Sequence, residues 1–158
     1  MRKTWTTLMM GAVAVLVVAL PLVAHHTFGA EFDLEAPVQL EGTVVRLEWV
    51  NPHVWIHLEV SRVVQGTTET ISADPSEEVW RVEGGSPRGL VVRGLARECL
   101  PFGARLIING FQAKDRTLKR ANGRDVTLPD GGRFFLGSSG PDAPRDGAEA
   151  RANRTGGC

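Results

Sequence analysis

The sequence predicts a mainly β fold: a small OB-like five-stranded β-barrel with one helix between its third and fourth strands. Three observations predict it. Short apolar/polar alternations recur along the middle of the chain at strand spacing. The first of them flips its phase partway, as the long bent first strand of such a barrel must. A capped helical pattern falls between the third and fourth alternations.

The elements follow in order. Val38 to Val50 is the first strand: Val38, Leu40 and Val44 share one parity, and Val45, Leu47 and Trp49 take the other. That flip places a bulge or sharp bend near Gly42 to Val45. Asn51-Pro52 is a turn. His53 to Val60 is the second strand, with Val54, Ile56, Leu58 and Val60 on one face and His53, Trp55, His57 and Glu59 on the other. Val63 to Glu78 is polar, and reads as a long loop or an extended hairpin. Val79 to Glu83 is the third strand, ending at Gly84-Gly85. Ser86-Pro87 starts the helix, with Ser86 as N-cap and Pro87 in the first position. Val91, Val92, Leu95, Ala96 and Cys99 continue it at helical spacing until Pro101 stops it. Arg105 to Ala113 is the fourth strand. Lys114 to Gly123 reads as a polar, basic loop, and Asp125 to Leu136 as a last strand or hairpin turning at Asp130-Gly131-Gly132.

Two flanking segments stand outside this domain. Arg2 and Lys3 precede an apolar run from Leu8 to Val23, and Ala24 offers a small residue for cleavage, so residues 1–24 are expected to be a secretory signal peptide. Export then implies a periplasmic or secreted protein with no stable membrane span after cleavage. Residues 25–137 would form the barrel domain. Residues 138–158, rich in Gly, Pro, Ala and charge without apolar periodicity, would be a disordered tail. The two cysteines, Cys99 and Cys158, make no disulfide framework, and the simpler expectation is one buried thiol and one mobile one.

Charge narrows the function. The chain of 158 residues has 18 Lys+Arg and 18 Asp+Glu. Removing Arg2 and Lys3 leaves 16 basic against 18 acidic residues, a net of −2. A net-acidic exported domain argues against nucleic acid as a partner. No Gly-x-Ser-x-Gly, Cys-x-x-Cys or His-Glu-x-x-His occurs, so the expectation is a binding module and not an enzyme.

Several residue groups are candidates for binding. Cleavage after Ala24 would expose His25-His26, whose imidazoles can chelate a metal together with the free amine. Nitrogen ligands of this kind suit copper. His53 and His57 are four residues apart on a strand, about 13 Å, too far to share one ion with bonds of about 2.1 Å. His53, at a strand end, is therefore the third metal candidate beside His25 and His26. Trp49 and Trp80 share the parity of apolar neighbours and belong to the core. Trp55 lies on the histidine face, where it and His57 would form a ligand face with the basic residues Lys114, Arg116, Arg120 and Arg124 of the presumed loop. The partner would be a small ligand or another periplasmic protein.

Several motifs are shared with a known family. They are His25-His26-Thr27-Phe28, Gly42-Thr43-Val44, Glu48-Trp49-Val50-Asn51-Pro52-His53-Val54-Trp55, Glu83-Gly84-Gly85-Ser86-Pro87, Gly110-Phe111 and Arg120-Ala121-Asn122-Gly123-Arg124. Together they resemble a family of small exported bacterial proteins, domain of unknown function 6152. The chain departs from that pattern at Thr27, where Ser is usual, and in the length of Val63 to Glu78. The resemblance implies an exported domain and supplies no activity.

Overall fold

A computed structural model describes residues 28–137. The signal-peptide, His25-His26 and C-terminal tail expectations lie outside those residues. The chain divides into two compact units, Met1–Ala30 and Glu31–Cys158. The described part of the first is Phe28–Ala30, within a four-residue helix α1 (Phe28–Glu31). Among the described residues no helix is long and apolar enough to cross a membrane.

The second unit is mainly β. Its strands are β1 (Phe32–Glu48), β2 (Trp55–Gln65), β3 (Thr68–Ile71), β4 (Val79–Glu83), β5 (Arg105–Ala113), β6 (Arg120–Thr127) and β7 (Arg133–Phe135). Helix α2 (Pro87–Val92) and a 3₁₀ turn (Arg97–Cys99) lie between β4 and β5. All seven strands belong to one sheet. β1 pairs antiparallel with both β2 and β5, β2 with β4, and β5 with β6. β4 and β6 run parallel. The pairings β1–β2–β4–β6–β5–β1 therefore close a ring. β3 continues the β2 hairpin, and β7 pairs β6.

β1 pairs with β5 over residues 32–43 and with β2 over residues 39–48, and it is irregular in its middle. Its register with β2 shifts between Glu41 and Gly42 and again between Val44 and Arg46, where the parity flip places a bulge. Gly42 is required there: a Cβ at this position would stand 2.5 Å from the Glu59 carbonyl oxygen. The inward residues of the ring, among them Leu40, Val44, Ile56, Leu58, Val82, Leu106, Ile108 and Val126, form one buried core. Leu90 and Leu95 cap it from α2 and the turn after it. Trp80 is buried in this core, and Trp49 packs against it half-buried, as their parity predicts.

The helix begins as expected. The Ser86 hydroxyl accepts a hydrogen bond from the Gly89 N–H, and Pro87 occupies the first turn. It is shorter than its apolar spacing suggests. Gly94 takes φ +92°, which a left-handed turn favours in glycine, and the chain resumes as the 3₁₀ turn. Cys99 there is buried and disulfide-bonded, which corrects the expectation of a buried free thiol. Cys158 lies outside the described residues.

Three boundaries also change. The first strand runs from Phe32 to Glu48 and not from Val38 to Val50, because residues ahead of Val38 also pair with β5. The second strand starts at Trp55, so His53 precedes it, and it runs on to Gln65 because Arg62–Gln65 pair with β3. The expected loop from Lys114 to Gly123 ends at Lys119, because Arg120–Asn122 pair with β4 or β5. The intrinsic turn signal of Asn122-Gly123 yields there to two-sided strand pairing, and burial of Asn122 and Gly123 goes with it.

Candidate functional site

Strand alternation decides which side chains meet. Ile56, Leu58 and Val82 point into the core, so Trp55, His57, Arg81 and Glu83 stand on the opposite face. Register then aligns them across strands: Glu48 opposite Trp55, Arg46 opposite His57, Trp55 opposite Glu83, His57 opposite Arg81. On the far side Arg81 faces Arg120 and Glu83 faces Asn122. Side chains so placed lie within contact distance of each other. Four strands thus build one continuous polar strip around a single tryptophan.

Two guanidinium groups lie over the Trp55 ring, that of Arg81 at 4.1 Å and that of Arg120 at 4.5 Å from its centre. The π-face of the indole attracts both cations. Arg120 is also paired with Glu31 at 2.8 Å. Arg81 is not comparably neutralised: its nearest carboxylate oxygen, on Glu48, is 3.9 Å away, beyond hydrogen-bonding distance. The Nε atoms of Arg81 and Arg120 are both buried without an acceptor among the described residues. The strip therefore holds guanidinium donors in place by stacking while leaving part of their hydrogen-bonding capacity unused.

Two imidazole–carboxylate pairs flank the tryptophan. His57 Nε2 lies 2.8 Å from Glu48 Oε1. That hydrogen bond, with help from the Arg46 and Arg81 charges, holds the Glu48 carboxyl below the usual carboxylate range. His53 Nδ1 lies 3.2 Å from both the Gly84 carbonyl oxygen and Glu83 Oε1. When Nδ1 carries the proton it serves both acceptors. Nε2 makes no contact with another polar group among the described residues. Glu83 is only 8% exposed. Burial pushes its carboxyl up, and the neighbouring His53 charge opposes that shift in part.

The residues expected to form the site are divided by the fold. His53, Trp55, His57 and Arg120 come together on the strip. His25 and His26 lie outside the described residues. Among the described residues no three His, Cys, Asp or Glu side chains group closely enough to hold a metal ion. The basic cluster is corrected. Arg120 and Arg124 belong to β6, and Arg116 is bound to Asp33 and to the Ala113 carbonyl. Arg124 donates to Asp125 and lines a shallow cavity with Gln39, Asn109 and Phe111. Lys114 follows β5, its backbone N–H bonded to the Glu31 carbonyl. Cations close together in sequence are separated along the chain's reversal from β5 to β6: Asp33 and Glu31 from other elements meet Arg116 and Arg120, while Arg124 pairs with its own neighbour Asp125.

Glu48, Arg81 and Glu83 also belong to the site; Glu48 and Glu83 open two of the shared motifs, but nothing in the sequence assigns any of the three a binding role. The available signal was parity, since Arg81 and Glu83 both alternate with core residues. Only register showed that they stand beside Trp55.

Fold and site together define a small, mainly β protein whose outer sheet face carries an Arg–Trp–Arg cluster between two His–Glu pairs. The chain belongs to a family of unknown function (DUF6152), whose model matches residues 13–121. No curated protein and no solved structure matches it.

Proposed function

We propose that this protein is an exported, periplasmic or secreted, OB-like module that binds an anionic ligand or partner without catalysis, through the strip around Trp55. The OB-like reading is supported by the ring order β1–β2–β4–β6–β5, with β4 and β6 parallel and α2 between β4 and β5. The binding reading rests on one observation: Arg81 is held over Trp55 at 4.1 Å without a hydrogen-bonding carboxylate. A guanidinium positioned in advance, with donors to spare, suits the paired oxygens of a carboxylate or phosphate. Export is supported by the composition of residues 1–24.

The test is a titration with an oligogalacturonide, a carboxylate-bearing glycan, at low salt. Arg81→Gln should weaken binding at least tenfold relative to wild type, and equal affinities would sink the proposal. N-terminal sequencing of protein recovered from the medium or periplasm tests export.

Copper capture is the second reading. It is favoured by His53, whose Nδ1 is committed to Glu83 and Gly84. An imidazole oriented by a carboxylate in this way presents Nε2 as a metal ligand. Cu(II) titration of wild type against His53→Ala and His25→Ala tests it, and unchanged affinity in both variants would exclude these residues.

A further inference from the structure

Cys99 takes no part in the Trp55 strip. It ends the 3₁₀ turn Arg97–Cys99, is 5% exposed, and belongs to the core with Leu95 and Leu100. Its Sγ accepts the Ala96 N–H at 3.2 Å, and the residue is disulfide-bonded. The sequence holds one other cysteine, Cys158.

Two further observations point to Cys158 as the partner. The first is where the described chain leaves the sheet. The Gly137 carbonyl accepts a hydrogen bond from Arg93 Nη1 at 2.8 Å, and the Leu136 carbonyl accepts the Gly85 N–H at 2.7 Å. Arg93 is the C-cap of α2, and its guanidinium also lies 5.1 Å from the centre of the Phe135 ring. Gly137 therefore hands the chain on beside the segment that carries Cys99. Arg93 and Cys99 are six residues apart, at most about 22 Å of chain. The 21 residues from Gly137 to Cys158 can extend about 70 Å, so a return to Cys99 asks no movement of the sheet. The second observation is composition. Apart from Cys158, residues 138–158 hold no apolar side chain larger than proline, and so have little apolar surface with which to pack. Gly156-Gly157 precede the cysteine, and two residues without Cβ let a backbone come close to a sulfur set in a core.

We infer that Cys99 is bridged to Cys158, which fastens residues 138–158 as a strap to the segment between β4 and β5. The strap is held at Gly137 through Arg93 and at Cys158 through Cys99. The bond forms by thiol–disulfide exchange with an oxidised dithiol carrier or with glutathione disulfide. One cysteine thiolate opens the oxidant's disulfide, and the second displaces the resulting mixed disulfide. The chain's two thiols give up two protons and two electrons, and the oxidant leaves as two thiols.

The test uses the full chain, reduced and then equilibrated in a buffer of glutathione and glutathione disulfide, so it depends neither on export nor on the strip. After the remaining thiols are blocked, tryptic digestion without reductant should yield Glu98–Arg105 joined to Thr155–Cys158. The joined peptide should vanish on reduction and be absent from Cys158→Ser. Closing the bridge spans 59 residues in the unfolded chain and 21 when Gly137 is held beside Arg93. Loop closure weakens as the 3/2 power of length, so the bridging constant, measured against glutathione, should be about fivefold higher in buffer than in concentrated urea. Cys158 found only with glutathione, or joined to Cys158 of a second copy, would overturn the inference. Equal bridging constants in buffer and in urea would overturn the strap, since the fold would then do nothing to bring the two sulfurs together.

Discussion

The Arg81 guanidinium lies 4.1 Å from the centre of the Trp55 ring, while the nearest Glu48 oxygen is 3.9 Å from Arg81 Nη2. The aromatic ring and the Glu48 carboxylate both act on this cation, and only the ring makes close contact with it. Register brings the three together, since Glu48 pairs with Trp55 and Arg81 with His57 on the adjoining strand. Removing the ring while keeping the charges, as in Trp55→Leu, should cost about 1–2 kcal/mol in urea unfolding, part of it lost cation–π attraction. The same change should weaken oligogalacturonide binding through a less ordered Arg81. A variant that binds as tightly as wild type would show that the ring does not position the arginine.

The Glu48–His57 bond predicts a pH response of definite sign. The folded-state pKa of Glu48 is lowered, first by the hydrogen bond from His57. The stabilisation is present above the ordinary carboxylate pKa of roughly 4.3 and is lost as pH falls through the lower folded value. Substituting His57→Ala should move the Glu48 carboxyl back toward its ordinary value. Carbon-detected NMR titration of the side-chain carboxyl reads this directly, and an unmoved midpoint would contradict it.

Glu83 behaves in the opposite sense. Burial raises its folded-state pKa, so its effect on stability is most favourable at pH below the unfolded value and worsens as pH rises through the folded one. Glu83→Gln keeps the shape and removes the buried charge. It should raise Tm by roughly 2–4 °C at pH 7 to 8, with the gain shrinking toward pH 4. A fall in Tm at neutral pH would mean that the His53–Glu83 pair outweighs the cost of burial.

Gly42 admits no side chain. Its absent Cβ would stand 2.5 Å from the Glu59 carbonyl oxygen, and a backbone atom in a paired strand has little room to move. Gly42→Ala should destabilise the protein by about 2–3 kcal/mol, measured by urea denaturation. Gly29→Ala is the control, since an added Cβ there meets nothing within 4 Å.

Helix α2 depends on its cap. Ser86→Ala removes the acceptor for the Gly89 N–H and should cost about 1 kcal/mol. Ser86→Asp should restore most of it, because the aspartate oxygen accepts the same bond.

Much of the fold was legible because it depends on local rules. Alternation located β4 as Val79–Glu83 and β5 as Arg105–Ala113, Ser86-Pro87 located the start of α2, and the phase change of Val44 and Val45 located the bend in β1. Each follows from the direction of neighbouring side chains or from the backbone preference of one or two residues. The site was legible only in part. Trp55, His57 and His53 could be placed on an outer face by parity, but the partners that give them chemistry come from elsewhere in the chain. Glu48 reaches His57 because β1 and β2 are paired in one register, and Arg120 reaches Trp55 because β6 runs parallel beside β4. Arg116, close to Arg120 in sequence, is drawn away by Asp33, whereas Arg124 meets its own chain neighbour Asp125. The sequence by itself determined which residues alternate, turn and cap, since those preferences act over a few bonds. Tertiary structure alone decided which charges meet, because strand pairing and electrostatic contact depend on distances that sequence separation does not set.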